Sequence, residues 1–189
     1  MTERKNVKLI AFVGLSGTGR SAATAYLGNQ GIPKVSFAEI IQRELDAENL
    51  TPTVDNERFV RENLRLSPSG DIVANEVIDQ VNGLMSGGQH KIAIDGLGSW
   101  DTYKRLRHEF TGNMIVVALV ARRHIRHRRM AERPTVPLTA SQTDQRDYDM
   151  IETMNKGGVI AMADYFITDN GSVEQLYTQI DKLLEEIEF

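Results

Sequence analysis

The chain contains no cysteine among its 189 residues. This absence excludes disulfide bonds, thiolate ligands in metal sites and cysteine nucleophiles. The first residues lack the apolar core of a signal peptide, and no apolar run reaches membrane-spanning length. We therefore expect a soluble cytoplasmic protein without a membrane partner.

An excess of positive charge is also absent, and aromatic residues are few. The formal net charge is -4, and aromatic residues make up 6% of the chain. Nucleic-acid binding surfaces are usually basic and carry aromatic residues between the cations, so this composition argues against a nucleic-acid partner. The length suits one domain with its own hydrophobic core. The composition does not indicate an oligomeric state.

Apolar segments typical of buried strands alternate with helix-forming segments along the chain. This order indicates an α/β fold, with a parallel sheet covered by helices on both faces. The predicted strands are 7–13, 34–37, 91–95, 114–120 and 165–168, and the predicted helices are about 20–29, 38–48, 55–65, 71–86, 100–110, 122–133, 140–155 and 172–187. Breaks at 51–53 and 67–70 interrupt the long segment between the second and third strands. Ligands bind at the carboxyl ends of parallel strands, and insertions between strands lie on the same side.

The most informative pattern lies at residues 7–21, which read VKLIAFVGLSGTGRS. A buried strand, a glycine-rich turn and a helix follow one another, as in the phosphate-binding loop Gly-x-x-x-x-Gly-Lys-Ser/Thr. Backbone N–H groups of such a loop surround a polyphosphate, and the next helix presents its unpaired N–H groups to the anion. A glycine-rich turn without a ligand is the alternative. The predicted nucleotide-binding residues are Gly14, Ser16, Gly17, Thr18, Gly19, Arg20, Ser21 and Ala22.

Three side chains around this loop are predicted to take part in the chemistry. Arg20 stands where the pattern has lysine; it keeps the charge, but its planar guanidinium prefers bidentate contacts. Ser21 is the predicted ligand of a Mg²⁺ that bridges two phosphates. Asp95, at the carboxyl end of the third strand, is predicted to hold a water of this Mg²⁺ or to act as base toward an acceptor hydroxyl. Capping of the following turn is the structural alternative for Asp95.

An arginine-rich segment at residues 122–133 reads RRHIRHRRMAER. On a helix, four of its arginines fall within a stripe about 60° wide, on the face that also carries apolar residues. Like charges at this spacing repel one another, and an anion would offset that repulsion. A phosphate clamp is one interpretation of the stripe. A solvated basic face, or pairs with Glu132, Asp144 or Asp147, is the other. The stripe consists of Arg122, Arg126, Arg129 and Arg133.

With these residues the chain resembles the P-loop kinases of the adenylate-kinase-like and dephospho-CoA-kinase-like branch. It is most similar to the archaeal-type, uncharacterised kinase group of that branch. The resemblance covers nearly the whole chain. The matching pieces are GLSGTGRS, VSFAEIIQREL, IDGLGS, ADYFITDNGSVEQL and the arginine helix with Arg126, Arg129 and Arg133.

The resemblance implies a P-loop NTPase fold, a three-layer sandwich whose five-stranded parallel sheet has the order 2-3-1-4-5. It implies an acceptor-binding region at about 38–88 and a lid over ATP at about 122–146. It also implies that Asn170 and Gly171 lie near the adenine.

The activity expected from the motifs and the resemblance is ATP-dependent, Mg²⁺-assisted phosphoryl transfer to a small nucleotide-like or CoA-precursor-like acceptor. Since such transfer depends on charge neutralisation around the moving phosphoryl group, basic residues dominate the predicted machinery. The residues predicted to act in it are Arg20, Asp95, Arg126, Arg129 and Arg146.

Three positions depart from the family pattern. The loop lysine is Arg20, and two arginines that normally grip the acceptor's phosphate are Gln42 and Gly98 here. These departures argue against an ordinary adenylate-kinase reaction. The alternative functions are a nucleotide-binding protein with little catalysis, and a slow NTPase that acts with a partner.

Overall fold

A five-stranded parallel sheet lies at the centre of the protein, in a computed structural model that describes residues 7–65, 72–134 and 136–189. Its strand order is β2-β3-β1-β4-β5, which confirms the order 2-3-1-4-5. All four strand pairs are parallel. The strands are β1 (Lys8–Val13), β2 (Lys34–Ser36), β3 (Lys91–Asp95), β4 (Met114–Val120) and β5 (Tyr165–Thr168).

Alternate residues of the central strand face two separate hydrophobic layers. In β1, Leu9 and Ala11 belong to one layer, and Ile10 and Phe12 belong to the other. All four side chains are fully buried, which is why β1 is a continuous apolar run rather than an alternating one. The predicted three-layer α/β sandwich is therefore confirmed.

Helices cover both faces of the sheet. The first and last helices supply Leu27 and Ile180 to one hydrophobic layer, and the remaining core helices pack on the opposite face. The described ranges contain α1 (Arg20–Asn29), α2 (Phe37–Ala47), α3 (Val54–Arg65), α4 (Ile72–Ser86), α5 (Trp100–Glu109), α6 (Arg123–Ala131), α7 (Ala140–Glu152), α8 (Lys156–Ala161) and α9 (Val173–Glu186). The predicted break at 67–70, and residue 135 of the predicted lid, lie outside the described residues.

One helix differs from the sequence-based expectation. The predicted helix 140–155 ends at Glu152, and a separate six-residue helix, α8, begins at Lys156. Asn155 lies between them with a left-handed backbone (φ 51°), a conformation that Asn tolerates better than most residues. This short helix packs against α5 and α7, and its Val159 is buried.

The carboxyl ends of the strands place several predicted functional residues at one edge of the sheet. The loop between β1 and α1 lies there, with Asp95 at the end of β3 and the predicted Asn170 and Gly171 shortly after β5. Among the helices that the structure describes, none is long and apolar enough to cross a membrane.

Candidate active site around the phosphate-binding loop

The loop between β1 and α1 depends on glycine for both its backbone angles and its close packing. Gly17 has φ 79°, and a Cβ there would lie 2.9 Å from the backbone oxygen of Arg126. Gly19 has φ 90°, and a Cβ there would lie 2.4 Å from Oδ2 of Asp169. Side chains at either position would strain the backbone and collide with neighbouring segments. The predicted strand, glycine turn and helix are thus present in the required order.

The polar groups of the loop leave the start of α1 open to an anion. Gly19 is the N-cap of α1, so no side chain caps the first amides of this helix. The Thr18 hydroxyl donates to the backbone oxygen of Leu15 at 2.8 Å and so stabilises the turn itself. The Ser21 side chain lies in the first turn of α1 and is exposed. This arrangement fits a polyphosphate with Mg²⁺ near Ser21.

Arg20 reaches from the loop to the acid at the end of β3. Its Nη1 lies 3.8 Å from Oδ1 of Asp95, and the side chains are 21% and 9% exposed. Gly96 allows this approach, since a Cβ there would lie 2.6 Å from Nη1 of Arg20. Burial lowers the pKa of Arg20, and the Asp95 carboxylate counteracts this effect. The structure therefore brings together two residues that were predicted from separate segments, Arg20 at the start of α1 and Asp95 at the end of β3.

The first inward-facing arginine of the stripe is Arg126, which is buried at 7% exposure. Its Nη1 donates to Oδ2 of Asp147 at 2.5 Å and to the backbone oxygen of Ser16 at 3.2 Å. The arginine–carboxylate pair with Asp147, left open as an alternative by the sequence, is thus present. Arg126 therefore links α6 to α7 and to the backbone oxygen of Ser16 in the loop.

The second inward-facing arginine is Arg129. It donates to both carboxylate oxygens of Asp169, at 2.7 and 3.0 Å, and to the backbone oxygens of Gly17 and Gly171 at 3.2 and 3.1 Å. The repulsion expected between these arginines is therefore offset by carboxylates and carbonyls of the protein. The outer members of the stripe, Arg122 and Arg133, are exposed.

Beside the loop, two arginines from different helices share one carboxylate. Arg61 on α3 and Arg146 on α7 lie 2.5 and 2.9 Å from Oε2 of Glu57. The Nε of Arg146 is buried and has no hydrogen-bond partner among the described residues. Burial lowers the pKa of Arg61, and the nearby charge of Arg146 lowers it further against the opposing effect of Glu57. Sequence analysis had singled out Arg146 but not Arg61.

Lys156, the first residue of α8, was not among the site residues predicted from the sequence. It lines a narrow cavity with Val13, Gly14 and Arg20 of the loop region. Burial lowers the pKa of Lys156 well below its ordinary value, and the charges of Arg20, Arg61 and Arg146 add to the effect. The Asn-Lys-Gly-Gly run at 155–158 is a helix-breaking signal at the end of the predicted helix 140–155, and it indicates that a separate element follows.

The predicted adenine end of the site is a surface recess after β5. Asn170 accepts a hydrogen bond from the backbone N–H of Arg122 at 2.8 Å. The recess thus connects the last strand to the start of α6. Its lining residues are Thr168, Asn170, Gly171, Gln175, Thr178 and Gln179.

The two positions that lack the family's arginines carry no charge in the structure either. Gln42 is exposed on α2 and donates to Asp46 at 2.9 Å. A Cβ at Gly98 would lie 3.1 Å from the Phe37 ring, so a larger side chain there requires the ring to move. The cations that lie beside the loop come instead from α1, α3, α6, α7 and α8.

Comparison with known proteins finds a relative and solved structures that match this chain over nearly its whole length and theirs. The "UPF0200 protein TK1334" of Thermococcus kodakarensis is 30% identical over 182 residues, 95% of this chain and 97% of that protein. TT1252 from Thermus thermophilus aligns with a TM-score of 0.64 at 17% identity, covering 96% of this chain and 98% of that one. Shikimate kinase from Bacteroides thetaiotaomicron aligns with a TM-score of 0.60 at 15% identity, covering 96% and 99%. No family model matches. The likeness to these structures shows the fold, which is the α/β P-loop NTPase fold.

Proposed function

This chain belongs to the UPF0200 family, and on that premise we propose that it is an ATP-dependent phosphotransferase. The acceptor is a small nucleotide-like or CoA-precursor-like molecule. The observation that carries the proposal is that Arg20 and Lys156 line one small cavity with Gly14 of the glycine-rich loop, and that Arg61 and Arg146 lie close enough to repel Lys156. A set of mutually repelling, partly buried cations is costly unless an anion binds among them.

Each part of the site has a proposed role in that reaction. The backbone N–H groups of residues 14–21 and the Arg20 guanidinium hold the β- and γ-phosphates. Ser21 and Asp95 hold Mg²⁺ directly or through water, and the ion supplies charge neutralisation between the phosphates. No cluster of three or more acidic or histidine ligands occurs in the part of the chain that the structure describes, which fits an ion held mainly by phosphate oxygens.

Asp95 and Arg146 act on the acceptor side of this arrangement. Asp95 orders a metal-bound water or accepts the proton of the acceptor hydroxyl. Arg146 neutralises charge on the transferring phosphoryl group; its buried Nε has no hydrogen-bond partner among the described residues. The same role is proposed for Arg126 and Arg129. Because both already bind carboxylates, this role requires them to exchange partners when the lid at about 122–146 closes.

A second candidate function is nucleotide binding with little catalysis, and Gln42 and Gly98 favour it. Gln42 is uncharged and Gly98 has no side chain, so neither supplies the charged contact that the family's arginines make with an acceptor phosphate. A slow NTPase that acts with a partner is a variant of this candidate. It differs from the first proposal because it predicts turnover of ATP without any acceptor.

An acceptor screen with radiolabelled ATP distinguishes these functions. The acceptors are dephospho-CoA and the nucleoside monophosphates, and each is tested with the natural chain and with Asp95→Asn. Labelled product that depends on Asp95 supports the phosphotransferase. Release of phosphate without acceptor supports the NTPase. Binding of Mg-ATP without either product contradicts the phosphotransferase and supports the binding protein.

A further inference from the structure

The position of Lys156 depends on a specific local backbone. Asn155 turns the chain in the left-handed region, and α8 then starts with Lys156. Two residues later, Gly158 lies against Trp100, where a Cβ would be 3.0 Å from the indole ring. Val159 is buried beneath this contact. The turn and the close helix–indole contact together hold Lys156 at the cavity beside the loop.

Lys156 has an unfavourable electrostatic environment in this position. In the part of the chain that the structure describes, its ammonium group makes no hydrogen bond and no salt bridge. The charged groups that act on it come from α1, α3, α7 and β3. Arg20, Arg61 and Arg146 repel its ammonium group, and the carboxylate of Asp95 attracts it. By contrast, each of these three arginines has a carboxylate partner.

We propose that Lys156 is a phosphate-binding residue whose ammonium group, delivered from α8, contacts the terminal phosphates of a triphosphate held in the loop. This inference rests on the proposed function and names a residue outside the loop motif. Lys156 and Arg20 line one small cavity beside Gly14, so both cations lie at the same end of the loop. The triphosphate supplies the negative charge that the protein does not supply to Lys156.

The different chemistry of Arg20 and Lys156 explains why the site uses both. Arg20 is bound to Asp95 and packs against Gly96, so its guanidinium has little freedom to follow a moving phosphoryl group. A lysine carries a compact charge with three donors on a flexible stem. Lys156 therefore adds the flexible cation that the loop pattern places at position 20, while Arg20 contacts the phosphates from its fixed position beside Asp95.

The first test is calorimetric titration of Mg-ATP and inorganic tripolyphosphate into three chains. Lys156→Met is expected to bind both ligands roughly 10- to 100-fold more weakly, the loss of one charge-assisted contact. Lys156→Arg is expected to recover part of the loss because it keeps the charge. Lys182→Met is the matched control, because Lys182 is exposed on α9.

The second test is acetylation by a lysine-reactive reagent, followed residue by residue by mass spectrometry. Tripolyphosphate is expected to protect Lys156 and to leave Lys182 unprotected. A merely structural lysine would not gain protection from the ligand. Unchanged acetylation of Lys156 at saturating tripolyphosphate would overturn the proposal.

The titrations separate failure of this inference from failure of the proposed function. If Lys156→Met binds both ligands as tightly as the natural chain, Lys156 is not a phosphate-binding residue, and the phosphotransferase proposal stands. If the natural chain binds tripolyphosphate but not ATP, the proposed function fails, while weaker binding by Lys156→Met still supports the role of Lys156. If the natural chain binds neither ligand, both proposals are overturned.

Discussion

The Asp147→Asn substitution tests the buried ion pair that fastens the arginine helix to the loop. The side chains of Arg126 and Asp147 are only 9% and 7% exposed, and their closest atoms are 2.5 Å apart. Removal of one partner from a buried pair costs about 3–5 kcal/mol, because the remaining charge has no counter-charge. We expect Asp147→Asn to lower the free energy of unfolding by about 3 kcal/mol, the lower end of this range. The loss is at the lower end because the backbone oxygen of Ser16 and the new amide oxygen still accept hydrogen bonds from Arg126.

Urea unfolding followed by circular dichroism measures this loss, and thermal unfolding gives a second estimate. For a chain of this size the expected fall in Tm is roughly 6–12 °C. Asp144→Asn is the matched control, because Asp144 is one turn earlier on α7 and pairs with the exposed Arg123. Its loss should be much smaller, since solvent screens exposed pairs. Equal stability of the two variants would refute the conclusion that the Arg126–Asp147 pair anchors α6.

Three further predictions concern Lys156, the loop and the acceptor. The folded chain lowers the pKa of Lys156 below its unfolded value of 10.5, so the charge of Lys156 destabilises the protein at neutral pH, and this cost disappears as the pH rises to 10.5. The variant Lys156→Met should therefore have a higher Tm than the natural chain at neutral pH. Thermal scans should show that this difference in Tm falls toward zero as the pH approaches 10.5. Gly19→Ala should abolish Mg-ATP binding in calorimetry and lower the Tm, because its Cβ would collide with Asp169. Gly28→Ala should keep the Mg-ATP affinity and the Tm of the natural chain, because a Cβ there has open space around it. AMP should bind weakly in the same assay, and Gln42→Arg should bind it more tightly; tight binding by the natural chain would contradict this prediction.

The strands of the sheet could be predicted because short segments of sequence determine where each strand begins and ends. The buried run of β1 and the glycine turn that follows determine the strand, loop and helix within about fifteen residues, and the strand order followed from the family resemblance. The start of α2 moved by one residue because Ser36 acts as its N-cap and accepts from the backbone N–H of Glu39. The candidate loop residues also followed directly from this pattern.

The partners of the charged side chains could not be predicted in the same way. Arg126 meets a carboxylate 21 residues away, and Arg129 meets one 40 residues away, at distances that no helical spacing describes. The six-residue helix α8 is too short for a periodic pattern, and its Lys156 reaches the site only through tertiary packing on Trp100. Such contacts depend on how distant elements pack, so the sequence left both alternatives for the stripe open.

The hydrogen bonds from α6 to the loop affect the entropy of nucleotide binding. Arg126 and Arg129 bind the backbone oxygens of Ser16 and Gly17. In a trans peptide the C=O and N–H bonds point in opposite directions, so the amides of Gly17 and Thr18 point away from α6. The loop thus acquires its ordered conformation during folding, and its conformational entropy is lost before any ligand arrives. A triphosphate then binds to a preorganised loop, and more of its interaction free energy remains as affinity.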